Sequence, residues 1–358
     1  MRAALALARR SLGRTWPNPA VGCVIVRDGR VIARGRTRDG GRPHAEADAI
    51  ASAREPLRGA TVYVTLEPCA HHGKTPPCAD ALIAAGVGRV VSAIEDPDPR
   101  VKGQGHAKLV AAGIAVEIGE GAAAAAEINA GFFLRVKEGR PLFHLKLASS
   151  LDGRIATASG ESRWITGAAA RADGHRLRSL HDAILVGSGT VGADNPDLTC
   201  RLPGLGAYSP DRIVLDSQAG MSVTLRLATT AQETPVLLFH AGAPAARVEL
   251  LRHKGITVIE APARGEGRVD VTAVARTLGE LGYSSVLIEG GGQVAAAFVA
   301  AGLVDRISSY RAGVVLGDDS RSAVGPLAVD RLDFAPRFRL VSTRTVGADT
   351  LETWHRRA

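Results

Sequence analysis

The chain has 358 residues, 46% of them hydrophobic, which favours two globular domains and excludes a disordered or fibrous protein. Its four cysteines are too few for a disulfide scaffold, so a reducing, cytosolic compartment is expected. The net charge of +8 raises nucleic acid as a partner, but the arginines are scattered and aromatic residues make up only 4%, too few to stack bases; an anionic small substrate or cofactor, or an arginine- and alanine-rich genome composition, is the milder explanation.

Residues 1–10 read as an amphipathic helix whose apolar run is too short for a signal peptide or a membrane span. Residues 22–26 and 31–35 read as strands flanking Asp28-Gly29, a hairpin signal. After the Arg42-Pro43 turn, residues 45–51 are good helix formers. Residues 61–66 are β-branched and aromatic and predict a strand, and residues 79–85 a helix that opens at Cys78. Strands over 88–94 and 114–118 and an alanine-rich helix over 121–133 complete a three-layer α/β unit. Gly139-Arg140-Pro141 breaks the pattern, so the domains are set at 1–140 and 141–358.

The first unit carries His44-Ala45-Glu46, then Pro68-Cys69, then Cys78. This is the signature of zinc deaminases. Water is a poor nucleophile at neutral pH, and zinc lowers the pKa of its bound water to roughly 7. Catalytic zinc keeps three protein ligands and an open position. His44, Cys69 and Cys78 supply the set, and Glu46, two residues from His44, is the proton carrier. The common signature spaces its cysteines Cys-x-x-Cys, whereas eight residues separate Cys69 from Cys78 here. His71 and His72 on that insert are further candidate ligands, ranked below the cysteines because Gly73, Pro76 and Pro77 can turn the chain back.

The second half begins with a strand over 142–147, followed by strands over 183–186, 212–216, 236–239 and 285–289 with helices between several of them. A mostly parallel sheet is expected. Two glycine-rich turns follow strands, at 187–190 and at Gly290-Gly291-Gly292 before a helix over 293–301. They suit a phosphate and equally suit plain strand-to-helix turns. Neither matches Gly-x-Gly-x-x-Gly, so the Rossmann fingerprint is absent.

Taken together, the motifs resemble the bifunctional riboflavin-biosynthesis family, a fused diaminohydroxyphosphoribosylaminopyrimidine deaminase and 5-amino-6-(5-phosphoribosylamino)uracil reductase. The matching runs are Pro17-Asn18-Pro19 with Val21 to Val24, His44-Ala45-Glu46, and Thr65 to Cys78 with its long insert. In the second half they are residues 145–153, 160–166 and 190–201, and Glu289-Gly290-Gly291. The family has several residues before its first helix, whereas this chain begins almost inside it.

The resemblance implies a cytidine-deaminase-like first domain and a dihydrofolate-reductase-like second domain. It implies deamination of a phosphoribosylated diaminopyrimidinone at its 2-amino group. Hydride transfer from NADPH to the ribosyl C1 would then give the ribityl chain. It also implies Zn2+, a phosphorylated pyrimidine as small-molecule partner, and a homo-oligomer. Asn18 would read the pyrimidine, although a turn residue between two prolines reads the same, and Lys74-Thr75 would meet the phosphate. Ala148, Trp164, Thr190, Asp194, Ser217, Gly291, Gly292, Gln293, Val294, Ala295, Ala296 and Ala297 would hold the cofactor. Ser162, Arg178, Leu198, Arg201 and Glu289 would hold the second substrate. Arg178 and Arg201 suit a phosphate, and Trp164 suits an apolar ring face. Lys146 or Asp152 would deliver a proton, or form a structural ion pair. The competing readings are a nucleoside or RNA deaminase with a binding module, and a structural zinc protein; the latter wants four ligands, and three are evident.

Overall fold

The computed structural model describes residues 1–73 and 75–357, so Lys74, expected at the substrate phosphate, lies outside the described residues. The chain forms two compact units, Met1–Gly139 and Arg140–Ala358. Arg140 belongs with the second because Asp305 receives its guanidinium through two bonds, at 2.8 and 3.0 Å.

The first unit runs α1 (Arg2–Arg9), β1 (Gly22–Arg27), β2 (Arg30–Arg36), α2 (Ala45–Ser52), β3 (Thr61–Val64), α3 (Cys78–Ala84), β4 (Arg89–Ser92), α4 (Gln104–Ala111), β5 (Ala115–Ile118), α5 (Ala122–Ile128) and α6 (Ala130–Glu138). The strands form one sheet in the order β2-β1-β3-β4-β5, with β3, β4 and β5 parallel and β1 antiparallel to both neighbours. Asp28 and Gly29 both take positive φ, 52° and 72°, as the tight hairpin between β1 and β2 requires.

Alternation along β1 splits the core. Cys23 and Ile25 face the cluster that includes Ala45 and Ala49 of α2 and Leu82 of α3, while Leu5 and Ala8 of α1 join Ala125 and Ile128 of α5 in a separate cluster. A Cβ at Gly22 would stand 2.0 Å from the Ala4 carbonyl, so α1 lies directly on the strand. The helix expected over 121–133 is two helices. The chain breaks at Asn129, whose amide clamps the Ala20 backbone at 2.9 and 3.1 Å.

The second unit runs β6 (Leu142–Ser149), β7 (Arg154–Ala156), α7 (Ala168–Arg178), β8 (Ala183–Gly187), α8 (Ser188–Asp194), β9 (Asp211–Leu215), α9 (Arg226–Thr229), β10 (Val236–His240), α10 (Ala245–Arg252) and β11 (Thr257–Glu260). The two-residue strands β12 (Ala263–Arg264) and β13 (Arg268–Val269) follow, then α11 (Val271–Glu280), β14 (Ser285–Ile288), α12 (Gly292–Ala300), β15 (Val304–Arg311), β16 (Arg321–Ser322), β17 (Phe338–Val346) and β18 (Asp349–Arg356). The main sheet is ordered β11-β10-β9-β8-β14-β6-β15-β18-β17. Every pair from β11 to β15 is parallel, and β18 and β17 close the sheet antiparallel. The parallel strands β6, β8, β9, β10 and β14 are largely buried and apolar, which made them legible in sequence, whereas β11 and β15 are partly exposed and more polar. The sequence reading omits β11, β15, β17 and β18. β17 is exposed along most of its length and interrupted by arginine, so it lacks the period-2 signal. At the 187–190 turn β8 ends on Gly187, which caps α8, and residues 188–190 are already the first turn of that helix. Among the described residues no helix is long and apolar enough to cross a membrane.

Candidate functional site: a thiolate–imidazole centre and a sheet-edge cleft

In the first unit three elements deliver one residue each to a point. His44 caps α2, Cys69 follows β3, and Cys78 opens α3. Their ligand atoms lie within 4.8 Å of one another, with His44 Nδ1 at 3.4 Å from Cys78 Sγ and 3.7 Å from Cys69 Sγ. Zinc bonds of ~2.0–2.3 Å at tetrahedral angles put ligand atoms ~3.5–3.8 Å apart, so this donor set fits the metal. The Cys78 amide donates to Cys69 Sγ at 3.3 Å. Hydrogen bonding from Cys78, outweighing the cost of burial and aided by His44, pulls the Cys69 thiol down, while Cys78 is pushed up, so the first thiolate forms on Cys69.

Glu46 sits in the first turn of α2 and is buried. Burial, reinforced by the Cys69 thiolate, pushes its carboxyl up to about 7, the range in which a carboxyl gives and takes protons at neutral pH. Glu46 and His44 line a cavity of about 290 Å³ with Asn18, His71, Asp96 and Arg100. Asn18 is both the turn residue and a lining residue: its N–H bonds to Thr15, and its side-chain amide donates to the Gly41 carbonyl at 2.8 Å. His71 faces the cavity outside the ligand cluster, its Nδ1 buried without a partner, and His72 is exposed.

Sequence reasoning missed the cavity wall made by Asp96, Asp98 and Arg100, and also Arg42, Phe132 and Arg135. A signal was present: Asp96-Pro97-Asp98-Pro99-Arg100 follows β4 directly, and ligands in α/β sheets collect at carboxyl ends of strands. Burial raises the Asp96 carboxyl to about 6. Glu67 anchors this wall. Its fully buried carboxylate accepts the N–H groups of Asp96, Gly103, Gly105 and His106 at 2.8–3.2 Å.

In the second unit, Ala148, Thr190, Ser217, Glu289 and Gly291 all fall at or just past the carboxyl ends of β6, β8, β9 and β14, which are neighbours in the order β9-β8-β14-β6. A Cβ on Gly291 would stand 3.7 Å from Thr190 Oγ1, so the two strand-to-helix turns face each other closely. α12 presents the first-turn N–H groups of Gly292, Gln293 and Val294 at this edge, a place for a dinucleotide's phosphates. Ala295 and Ala296 instead face the core, and the Ala295 N–H is spent on Gly291, so the useful part of the expected 291–297 run is its first half; Ala297 is exposed. Trp164 is 67% exposed with the Arg171 guanidinium 4.5 Å above its ring, so one face already has a cation. Arg163 joins that loop to Asp194, 3.8 Å from its carboxylate. Ser162 is half-buried in the same loop.

Arg178 and Glu289 find each other. Arg178 Nε and Nη2 donate to the Glu289 carboxylate at 2.8 and 2.9 Å, and Nη1 donates to the Thr199 carbonyl. A phosphate was expected on Arg178, but its nitrogens are committed; Arg201 stays exposed, 3.6 Å from Asp197. Leu198 is buried between them in sequence, at positive φ. Burial alone would raise Glu289, but Arg178 and then Lys146, 3.9 Å away, hold it at about 2. Lys146 therefore pairs with Glu289, not with Asp152. Asp152 accepts the Ser150 hydroxyl and the Leu316 and Gly317 N–H groups, which hold it at about 2.

Residues 1–94 match the family described as cytidine and deoxycytidylate deaminase zinc-binding region, and residues 141–351 match the RibD C-terminal domain. A curated relative, the riboflavin biosynthesis protein RibD of Escherichia coli K12, is 42% identical over 360 residues, covering 98% of this chain and 96% of that one. Among solved structures, Acinetobacter baumannii RibD is 38% identical with a TM-score of 0.88, covering 100% and 98% of the two chains. A Thermotoga maritima diaminohydroxyphosphoribosylaminopyrimidine deaminase/5-amino-6-(5-phosphoribosylamino)uracil reductase is 35% identical with a TM-score of 0.86, covering 99% and 97%. A match to a reductase-bearing family over the second half disfavours a plain binding module there.

Proposed function

The chain belongs to the RibD family of riboflavin-biosynthesis proteins, and on that premise we propose how its residues divide the work of a bifunctional enzyme, zinc-dependent deaminase and NADPH-dependent reductase. The first unit, residues 1–140 in the sequence reading, takes the deamination of 2,5-diamino-6-(5-phosphoribosylamino)pyrimidin-4-one. The second, residues 141–358, takes the reduction of 5-amino-6-(5-phosphoribosylamino)uracil to its ribityl form. The observation that carries the first assignment is the convergence of His44, Cys69 and Cys78 beside a buried carboxyl near neutrality.

His44, Cys69 and Cys78 would hold zinc, which when bound would supply an activated water. Glu46 would carry one proton of the attacking water to the ring nitrogen and the second, left on the added hydroxyl, to the departing amine, which leaves as ammonia. Asn18 and Asp96, lining the cavity, present an amide and a carboxyl for the pyrimidine edge. In the second unit the Gly290–Gly292 turn and the start of α12 take the cofactor diphosphate. Of the two proton donors considered, Lys146 sits in the Glu289–Arg178 cluster while Asp152 is spent on backbone N–H groups, so proton delivery is assigned to Lys146.

Two coarser properties extend in the same way. None of the four cysteines is in a disulfide, which supports a reducing cytoplasm. β17 is an outer strand with Leu340 and Val341 exposed, and Leu332 and Phe334 precede it at 77% and 73% exposure; such an edge supports a homo-oligomer.

The test is a coupled assay on the full chain with each substrate form. Ammonia should appear with the diaminopyrimidinone, and NADPH should be consumed only once the deaminated compound is present. Glu46→Gln should abolish ammonia release and leave reduction of the deaminated substrate unchanged. Reduction of the undeaminated compound at an equal rate would overturn the assigned order.

A further inference from the structure

The hairpin between β11 and α11 has a feature that neither hydride transfer nor folding requires. β12 and β13 pair Arg264 directly opposite Arg268. Directly opposed residues of an antiparallel pair lie on one face about 5 Å apart, and like charges there repel. The turn between them, Gly265-Glu266-Gly267, has both glycines at positive φ, 58° and 74°. Glu266 offers a carboxylate 3.5 Å from Arg268, but that pair is 86% and 58% exposed and worth little. Two arginines opposed on one face of an exposed hairpin, with one weak counter-charge, offer two guanidiniums to a dianion.

The hairpin is also tied to the cofactor edge at two points. The Val269 N–H donates to Ser217 Oγ at 3.1 Å, just past β9. Arg268 Nη1 donates to Gln293 Oε1 at 3.2 Å, in the first turn of α12. Arg268 thus reaches from the end of β9 to the helix that follows β14. Hydride transfer requires the nicotinamide beside the substrate residue Glu289, at the end of β14 next to β6, whereas Ser217, past β9, lies on the far side of β8. With the diphosphate on the Gly290–Gly292 turn, the adenosine half runs toward Ser217 and the hairpin.

We propose that Arg264 and Arg268 form a phosphomonoester subsite that takes the 2′-phosphate of NADPH and sets the preference for NADPH over NADH. This rests on the cofactor reading given above. The diphosphate is served by backbone N–H groups, which do not distinguish the two cofactors, so the choice between them falls to the paired guanidiniums.

The experiment measures dissociation constants of NADPH, NADH and 2′,5′-ADP for the full chain by titration calorimetry, in the wild type, Arg264→Gln, Arg268→Gln and the double variant. Both positions are on an exposed two-residue ladder, so the variants keep the fold. Each loss should weaken NADPH and 2′,5′-ADP by about ten- to hundredfold and leave NADH within about twofold. Unchanged NADPH binding in the double variant overturns the subsite. Equal weakening of NADPH and NADH also overturns it, because the arginines would then be on the diphosphate. A wild type that binds neither dinucleotide defeats the cofactor reading itself, and the subsite with it.

Discussion

Gly105 presses its backbone onto the carbonyl of Pro68 so closely that a Cβ would stand 1.9 Å from that oxygen. Pro68 precedes the proposed ligand Cys69, and Glu67 before it takes the N–H groups of Gly105 and His106. The start of α4 and the metal loop are thereby one rigid piece. Gly105→Ala should shift Cys69 and weaken zinc retention by roughly tenfold or more, as outer-shell losses do. Glu67→Gln should do the same while also disturbing Asp96, so KM rises as well. Competition with a chromophoric chelator measures the metal; zinc affinity equal to wild type in both variants would show that the clamp serves folding alone.

Glu46 should cost the metal-free chain stability. Its folded-state pKa of about 7 lies above the ordinary 4.5, so its contribution is fully present below about pH 4.5 and is lost as pH rises through 7. In chelator-treated protein, Glu46→Gln should therefore raise first-unit stability at pH 8 by up to about 3 kcal/mol, and by far less at pH 4.5. Melting curves at the two pH values check this; a pH-independent difference would mean burial is not what perturbs the carboxyl.

The buried Arg178–Glu289 pair is a liability when halved. Arg178→Met leaves the buried Glu289 carboxylate with Lys146, 3.9 Å away, as its remaining ion-pair partner among the described residues and should cost about 3–5 kcal/mol in the second unit. Adding Glu289→Met should recover most of that loss, which a double-mutant cycle on the second-unit transition reads directly. If the two losses simply add, the pair is not coupled as its geometry requires.

Acid should open the second unit early. His181 Nδ1–H donates to the Leu177 carbonyl, His144 Nδ1–H donates to His181 Nε2 at 3.1 Å, and His144 Nε2 accepts the Ser308 hydroxyl. This tautomer assignment follows from the chain of partners. The arrangement needs both rings neutral. Burial lowers His181 to about 4 and, with His181 and Arg306 nearby, lowers His144 well below 6.5. The unfolded chain therefore binds more protons, and stability is lost as pH falls from about 6.5 toward 4, by roughly 3 kcal/mol for His181. His181→Asn should flatten that slope in urea unfolding between pH 7 and 4.5; an unchanged slope would place the acid sensitivity elsewhere.

The candidate metal centre was legible as a convergence of three residues because its pattern is local. His44, Cys69 and Cys78 each sit at the start of a helix or the end of a strand, places that capping, β-branching and proline mark in the chain. The eight-residue insert and the runs around Asp152 and Glu289 carried the family resemblance, and the apolar parallel strands carried the fold class. What the chain alone left open was which polar group meets which. Lys146 and Asp152 looked interchangeable, and Arg178 looked like a phosphate ligand, until β14 brought Glu289 beside β6 and settled both pairings. Arg264 and Arg268 carried no signal in sequence, because their meaning is a cross-strand register and two tethers to Ser217 and Gln293. Periodicity and capping act over a few residues, so sequence determines elements and ligands. Partner choice among charges depends on distance and desolvation across the sheet, which exist only once the strands are ordered.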